Sequence, residues 1–255
     1  MATPDESTPT PARRLPAPDL ASLPRERLED MHDAAALALR CEAALRASGM
    51  SVVTEMLRGG ADQFVVWDRY PADGIHDGAT HSQYFYHAHD AAEMADGEHG
   101  HFHLFLRGEA FPQPPAPWPS VGARVGWSPN ESFVHLAAIS VDANGRPLRV
   151  FTTNRWVTDE TMARCEDVIA VLDRFVIGAA FPNLAVSDWL NAMARLYRPQ
   201  IEGLLRLRDA AILDFLAAHP DGAGLEDRRL QNVSEIDIDI PAQIAAIEAA
   251  LGIEG

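Results

Sequence analysis

No lysine occurs among the 255 residues; all 21 basic side chains are arginine. Its absence removes a Schiff-base nucleophile, the lysine of a phosphate-cradling loop and any serine–lysine dyad. Cysteine is nearly absent too. Cys41 and Cys165 lie far apart with no CxxC pair, which excludes cysteine-ligated zinc and a dithiol redox site. Each reads as a small apolar residue inside a helix. No apolar run approaches the ~20 residues of a membrane helix, and MATPDESTPTPARRLPAPDL lacks the apolar core of a signal peptide. A cytoplasmic protein without a membrane partner is the expectation, with residues 1–20 a disordered tail. Positive charge is outweighed, and the formal net charge of −16 argues against a nucleic-acid backbone as partner. GxSxG, HExxH and GxGxxG motifs are all missing. Abundant alanine beside an all-arginine basic set suits a GC-rich bacterial genome.

Histidine is what the chain has in excess. Six of its ten histidines fall in Thr80–Arg107, THSQYFYHAHDAAEMADGEHGHFHLFLR. Ser82–His89 alternates, placing Phe85, His87 and His89 on one face and Tyr84, Tyr86 and Ala88 on the other. The segment from His99 to Arg107 alternates likewise, with His99, His101, His103 and Phe105 sharing a face. Each HxH on a strand sets two imidazoles on one side at ~6.5 Å spacing. An antiparallel hairpin over 82–107 then joins the two rows, with His89 opposite His99, His87 opposite His101 and Phe85 opposite His103. Farther on, Ser132–Val141 and Leu148–Thr153 flank the turn Asp142-Ala-Asn144-Gly145. Phe133, His135, Ala137, Ile139 and Val141 would share a face, making His135 a further candidate from distant sequence.

Five clustered imidazoles left in solvent gain nothing, and packed without partners they carry a desolvation cost of roughly a few kcal/mol. A divalent cation answers both difficulties, because each ligand is neutral and its second nitrogen can donate outward. The candidate ligands are His87, His89, His99, His101, His103 and His135, with His99 and His81 the most easily explained as hydrogen-bonded structural residues. Glu98 or Glu93 would supply a carboxylate ligand or general base. Tyr84, Tyr86 and Arg155 are candidate substrate contacts, Arg155 having ion pairing as its alternative. One divalent transition metal is implied, with Fe, Zn, Mn, Ni and Cu not distinguished by such donors.

Around this hairpin the chain reads as one α+β domain over residues 21–255. A central antiparallel sheet of four or five strands would carry helices from both the N- and C-terminal segments. Pro24–Ala47, a short helix from Ser51, a helix from Thr158 reaching Phe175, one capped by Ser187-Asp188, Ile201–Ala218 and Pro241–Leu251 have helical periodicity. Phe64–Asp68 reads as a strand and the following RYPADGIHDGATH as an irregular loop. SEIDIDIP reads as an edge strand, or as an arm packing on a partner subunit in a homo-oligomer.

The phrases SQYFYHAH, EHGHFHLFLR and FTTNRWVT resemble a bacterial family of uncharacterised domains, a likeness spanning most of the chain after the tail. That family brings no established activity. His87-x-His89-x3-Glu93-x6-Gly100 also resembles the first metal motif of the cupin superfamily, which implies two histidines and a glutamate on one metal inside a small β-barrel. The second cupin motif is absent; His135 follows SPNESFV instead. The expected function is a mononuclear metal-dependent oxygenase or hydrolase acting on a small molecule. A non-catalytic metal binder (sensor, carrier or structural site) is the alternative, and a pH-sensitive histidine interface the third reading.

Overall fold

Alternation along the histidine-rich stretch resolves into two adjacent interior strands of a seven-stranded sheet. The computed structural model describes residues 9–58, 64–90, 94–116, 118, 126–220 and 222–253. The strands are β1 (Arg13–Arg14), β2 (Tyr70–Asp77), β3 (Ser82–His87), β4 (Gly100–Arg107), β5 (Phe133–Val141), β6 (Pro147–Thr153) and β7 (Asn232–Asp237). Their order is β1-β7-β6-β5-β4-β3-β2, antiparallel throughout except for β1 on β7. The sheet is open, with β2 and β1 at its edges, and is not the barrel that the cupin likeness implies.

Seven strands replace the expected four or five because β1 and β2 hide their strand character, in a tail and in an apparent loop, and β7, read as an edge strand or an arm, is built into the sheet. β2 contains Pro71 and Gly74, which the sequence reads as loop punctuation. At a sheet edge a proline is tolerated, since no partner needs its missing N–H. Tyr70 pairs with Tyr86 and Ile75 with Tyr84, so residues 71–74 bulge out opposite a single residue. Gly74 turns that bulge at φ +68°, where an added Cβ would stand 3.0 Å from the Tyr84 carbonyl oxygen. The segment NVSEID is the interior strand β7 rather than an edge, covered on its far side by Arg13–Arg14 from the segment assigned to the tail. Phe64–Asp68, expected as a strand, is instead a loop with a turn.

The helices are α1 (Arg25–Ala47), α2 (Val52–Arg58), α3 (Arg155–Thr158), α4 (Cys165–Ile169), α5 (Leu184–Leu196), α6 (Arg198–Ala218) and α7 (Ile240–Leu251). In α1, Leu28, Met31, Ala34, Ala35, Ala38, Cys41 and Leu45 recur at steps of three and four and are all buried. α1 packs on α5 and α7, and α6 packs on β6 and β7. The main core lies between these helices and one sheet face, formed by Tyr84, Tyr86, Phe102, Leu104, Ile139 and Val150. The start of α5 is set by Asn183, whose side chain accepts from the Ala185 N–H, four residues before the expected cap. Asp239 likewise caps α7 through the Ala242 N–H. No helix among the described residues is long and apolar enough to cross a membrane.

The long helix expected from Thr158 is broken. Asp159 leaves α3 in a left-handed conformation, and the next residues run extended along β5. β6 ends at Thr153, so the first residues of β5 lack a partner on that side. Thr161 donates its N–H to the Phe133 carbonyl, and the Glu160 carboxylate accepts the His135 N–H at 2.7 Å. These bonds satisfy backbone groups that a helix over the same residues would leave bare.

Candidate metal centre

The sheet face opposite the helices carries Phe85, His87, His101, His103, Phe105, His135, Arg149, Phe151 and Thr153. The hairpin register is the expected one: His87 pairs with His101 and Phe85 with His103. His135 arrives by a different route. A bulge opposite Leu104 puts Ala137, Ile139 and Val141 on the helix side while His135 pairs with Phe105 on the other. The single apolar row expected along β5 is therefore split, and the extra residue turns His135 toward His103.

Three of the histidines, His87, His101 and His103, offer ring nitrogens that all lie within 4.8 Å of one another and could hold a metal ion. His87 Nε2 is 2.8 Å from His101 Nε2 and 3.1 Å from His89 Nε2. Behind them the rings are oriented by further partners. His101 Nδ1 donates to Glu98 Oε1 at 2.6 Å, and Glu98 Oε2 accepts from Arg149 at 2.9 Å. Arg149 continues to Glu235 at 2.6 Å. His103 Nδ1 is 3.0 Å from His135 Nε2, whose Nδ1 is 3.4 Å from Thr153 Oγ1. Both chains leave the Nε2 atoms of His101 and His103 facing the cluster.

The electrostatics follow from burial. Desolvation, then the neighbouring His101 and His89 and the Arg69 charge, push the His87 pKa down to about 2. His103, fully enclosed, is held well below the usual imidazole range by burial and by His101, His135 and His87. Burial and the Arg208 charge lower His135 to about 3. These rings are neutral at physiological pH, the state a metal needs. Burial acts to raise the Glu98 carboxyl, but the hydrogen bond and charge of His101 and those of Arg149 outweigh it, and Glu98 lies below the ordinary carboxylate range. A small cavity of about 20 Å³ adjoins the cluster, lined by His89, Glu98, His101, His103, Arg149 and Thr153 among others. It is large enough for one water molecule.

Several expected site residues stand elsewhere. His99 leaves the histidine row: its Nδ1 is 2.5 Å from the Tyr86 hydroxyl and its ring stacks on Phe64. Gly100, which has no side chain, lets the Tyr86 hydroxyl pass beneath the strand end to reach it. Tyr84 and Tyr86 lie fully buried on the helix side, and burial pushes the Tyr84 phenol up to about 12. Neither faces the cluster. Arg155 is buried, with its guanidinium engaged by Glu226 and by Asp159 at 3.1 Å, which is the ion-pairing alternative. Both oxygens of Glu98 are occupied, so it orients His101. Glu93 lies outside the described residues.

Arg149, Thr153 and Glu160 escaped the sequence reading. Arg149 and Thr153 had a signal, since both sit in register with Phe151 on alternating positions of β6. Glu160 had none, because its segment reads as helix.

No curated protein and no solved structure matches the chain. A family model described as a domain of unknown function (DUF6969) matches residues 32–238, so strands β2 to β7 and the histidine cluster fall within it and the chain belongs to this uncharacterised family.

Proposed function

We propose that the protein is a mononuclear metal-dependent enzyme acting on a small molecule, with His87, His101 and His103 as ligands and His89 beside them. One observation carries the reading. An imidazole nitrogen has either one proton or one in-plane lone pair, so His87 Nε2 can serve one of its contacts, to His101 or to His89, but not both. A cation between them accepts lone pairs from every ring at once. The outward hydrogen bonds of His101 to Glu98 and of His103 to His135 support the same reading, since ligating histidines ordinarily donate their second N–H to such partners.

The ring nitrogens of His87, His101 and His103 lie within 4.8 Å of one another, and three protein ligands on a bound cation would leave a further position for water or substrate. A bound cation would supply Lewis acidity toward a water in the adjoining cavity, and with iron an electron source for oxygen chemistry. The donor set alone admits Zn, Fe, Mn, Ni or Cu.

The small size of that cavity favours the second reading, a non-catalytic binder. Elemental analysis of protein purified without a metal-affinity tag tests the shared premise, with His101→Ala/His103→Ala as control. One bound ion in the native chain and none in the variant is the expected result; a native chain that stays metal-free after anaerobic incubation with each candidate ion refutes both readings. Azide added to the cobalt-loaded protein separates them. A change in the visible bands indicates an open position, and no change leaves the non-catalytic binder.

A further inference from the structure

Two side chains on the outer rim of the histidine face have no part in holding the cluster together. The Arg69 guanidinium lies over the Phe85 ring, 4.6 Å from its centroid. Phe85 in turn stands 5.5 Å from the His87 ring and 5.1 Å from the His103 ring. Arg69 is exposed and makes no hydrogen bond or ion pair with any of the described residues, in a chain with 37 acidic residues. By contrast Arg149, a second arginine on this face, is bound to both Glu98 and Glu235. A guanidinium held on an aromatic face beside the imidazole cluster, with no described partner, offers its forked N–H donors to an anion.

Trp67 is the second feature. The turn from Val65 to Asp68 is closed by the Asp68 N–H to the Val65 carbonyl, and its third residue is Trp67 at φ +74°. Turns needing a positive φ at that position ordinarily use glycine or asparagine. The conformation is held by the Trp67 N–H, which donates to the Ala88 carbonyl at 2.8 Å. It sets the indole 4.2 Å from the His89 ring while leaving the residue 50% exposed. A strained backbone that presents a large flat apolar surface beside a polar site is a feature of ligand clamps.

We propose that Arg69 and Trp67 form the recognition rim for a small planar carboxylate, aromatic or conjugated, with its carboxylate on the Arg69 guanidinium and its plane against the Trp67 indole. The partly exposed His87 lies on the same face, so the remainder of the ligand is directed at the cluster. A monoanion fits better than a phosphate, because the other described arginines on this face are already engaged: Arg149 is paired with two carboxylates, and Arg107, at the far end of β4, donates to Gln83 and to the Asn130 carbonyl. The rim deepens the metal-enzyme reading by naming its substrate class, and rests on that reading only for the chemistry done at the cluster.

The test uses benzoate, acetate and benzamide as probes in titration calorimetry on cobalt-loaded and on metal-depleted protein, with cobalt content measured in every sample. Benzoate is expected to bind at least tenfold more tightly than benzamide or acetate. Arg69→Ala should lower benzoate affinity at least tenfold at unchanged cobalt content, and Arg69→Lys should recover part of it. Trp67→Ala should weaken benzoate more than acetate. Equal benzoate binding by Arg69→Ala, or no benzoate binding by the native chain, overturns the rim while cobalt content reports the metal site separately. Arg69-dependent benzoate binding in a chain that takes up no cobalt sustains the rim and refutes the metal centre.

Discussion

Glu98 holds His101 in one tautomer: its Oε1 accepts the His101 Nδ1–H at 2.6 Å while its Oε2 is tied to Arg149. The carboxylate is almost wholly buried, so the interaction is little screened by solvent. Glu98→Gln keeps the shape but removes the charge, and it can turn a donor toward a donor. The expected outcome is a ~10–100-fold loss of metal affinity with the fold intact. Competition against a chelator of known affinity at neutral pH measures it, and an unchanged affinity contradicts the assigned orienting role.

Acid should destabilise the metal-free protein well before its exposed carboxylates titrate. His87, His103 and His135 have folded-state pKa values below the ordinary 6.5, to about 2 for His87 and about 3 for His135. Between those values and 6.5 the unfolded chain binds protons that the folded chain does not. Their stabilisation is thus present above pH 6.5 and is lost as pH falls toward the folded values, by up to about 1.4 kcal/mol per pH unit for each proton. Urea midpoints of metal-free protein at pH 7 and pH 5 check this, with the lower midpoint expected at pH 5. Bound metal should steepen the dependence, since each ligand must be unprotonated.

Glu160 acts with the opposite sign. Burial raises its carboxyl from the ordinary 4.5 to about 7, against the lowering effects of Arg208 and the His135 N–H. A raised acid contributes stability that is complete below 4.5 and is lost as pH rises through 7, because the folded chain then holds a proton that the unfolded chain has released. Glu160→Gln keeps an oxygen for the His135 N–H and cannot ionise. It should stabilise the protein at pH 8 by on the order of 1–3 kcal/mol and have little effect at pH 5. Equal denaturation midpoints for native and variant protein at pH 8 would contradict the raised carboxyl.

How much of this was legible in the sequence depends on what each element relies on. The hairpin register followed from period-two alternation, a local property, and His87–His101 and Phe85–His103 pair as that pattern requires. His99 followed the alternation in sequence but not in space, because the Tyr86 hydroxyl and Gly100 decide its partner. The bulge at β5 carries no glycine or proline to announce it, so the row containing His135 read as continuous. Strand β7 depends on neighbours far along the chain, β6 and β1. At β2 the proline and glycine signals that mark loops are absorbed by an edge bulge, which local propensity cannot anticipate. The break after Thr158 likewise answers the unpaired end of β5, a demand set by tertiary structure alone.

Gly100 offers a test of the hairpin as scaffold. A Cβ there would stand 2.6 Å from the His87 carbonyl oxygen and collide with the Tyr86 hydroxyl. The first contact is with backbone, so it cannot be relieved by rotating a side chain; the strands must part where His87 faces His101. Gly100→Ala should therefore cost about 1–3 kcal/mol of stability and widen the His87–His101 separation. Gly97→Ala is the control: alanine there would be strained by the positive φ of +76°, but nothing lies within 4 Å of the added carbon. If strand spacing sets the ligand geometry, Gly100→Ala loses metal affinity beyond what its stability loss explains, whereas Gly97→Ala loses stability alone. Metal titration of both variants under conditions where each remains folded makes the comparison, and equal affinities would show that the ring positions do not depend on this strand contact.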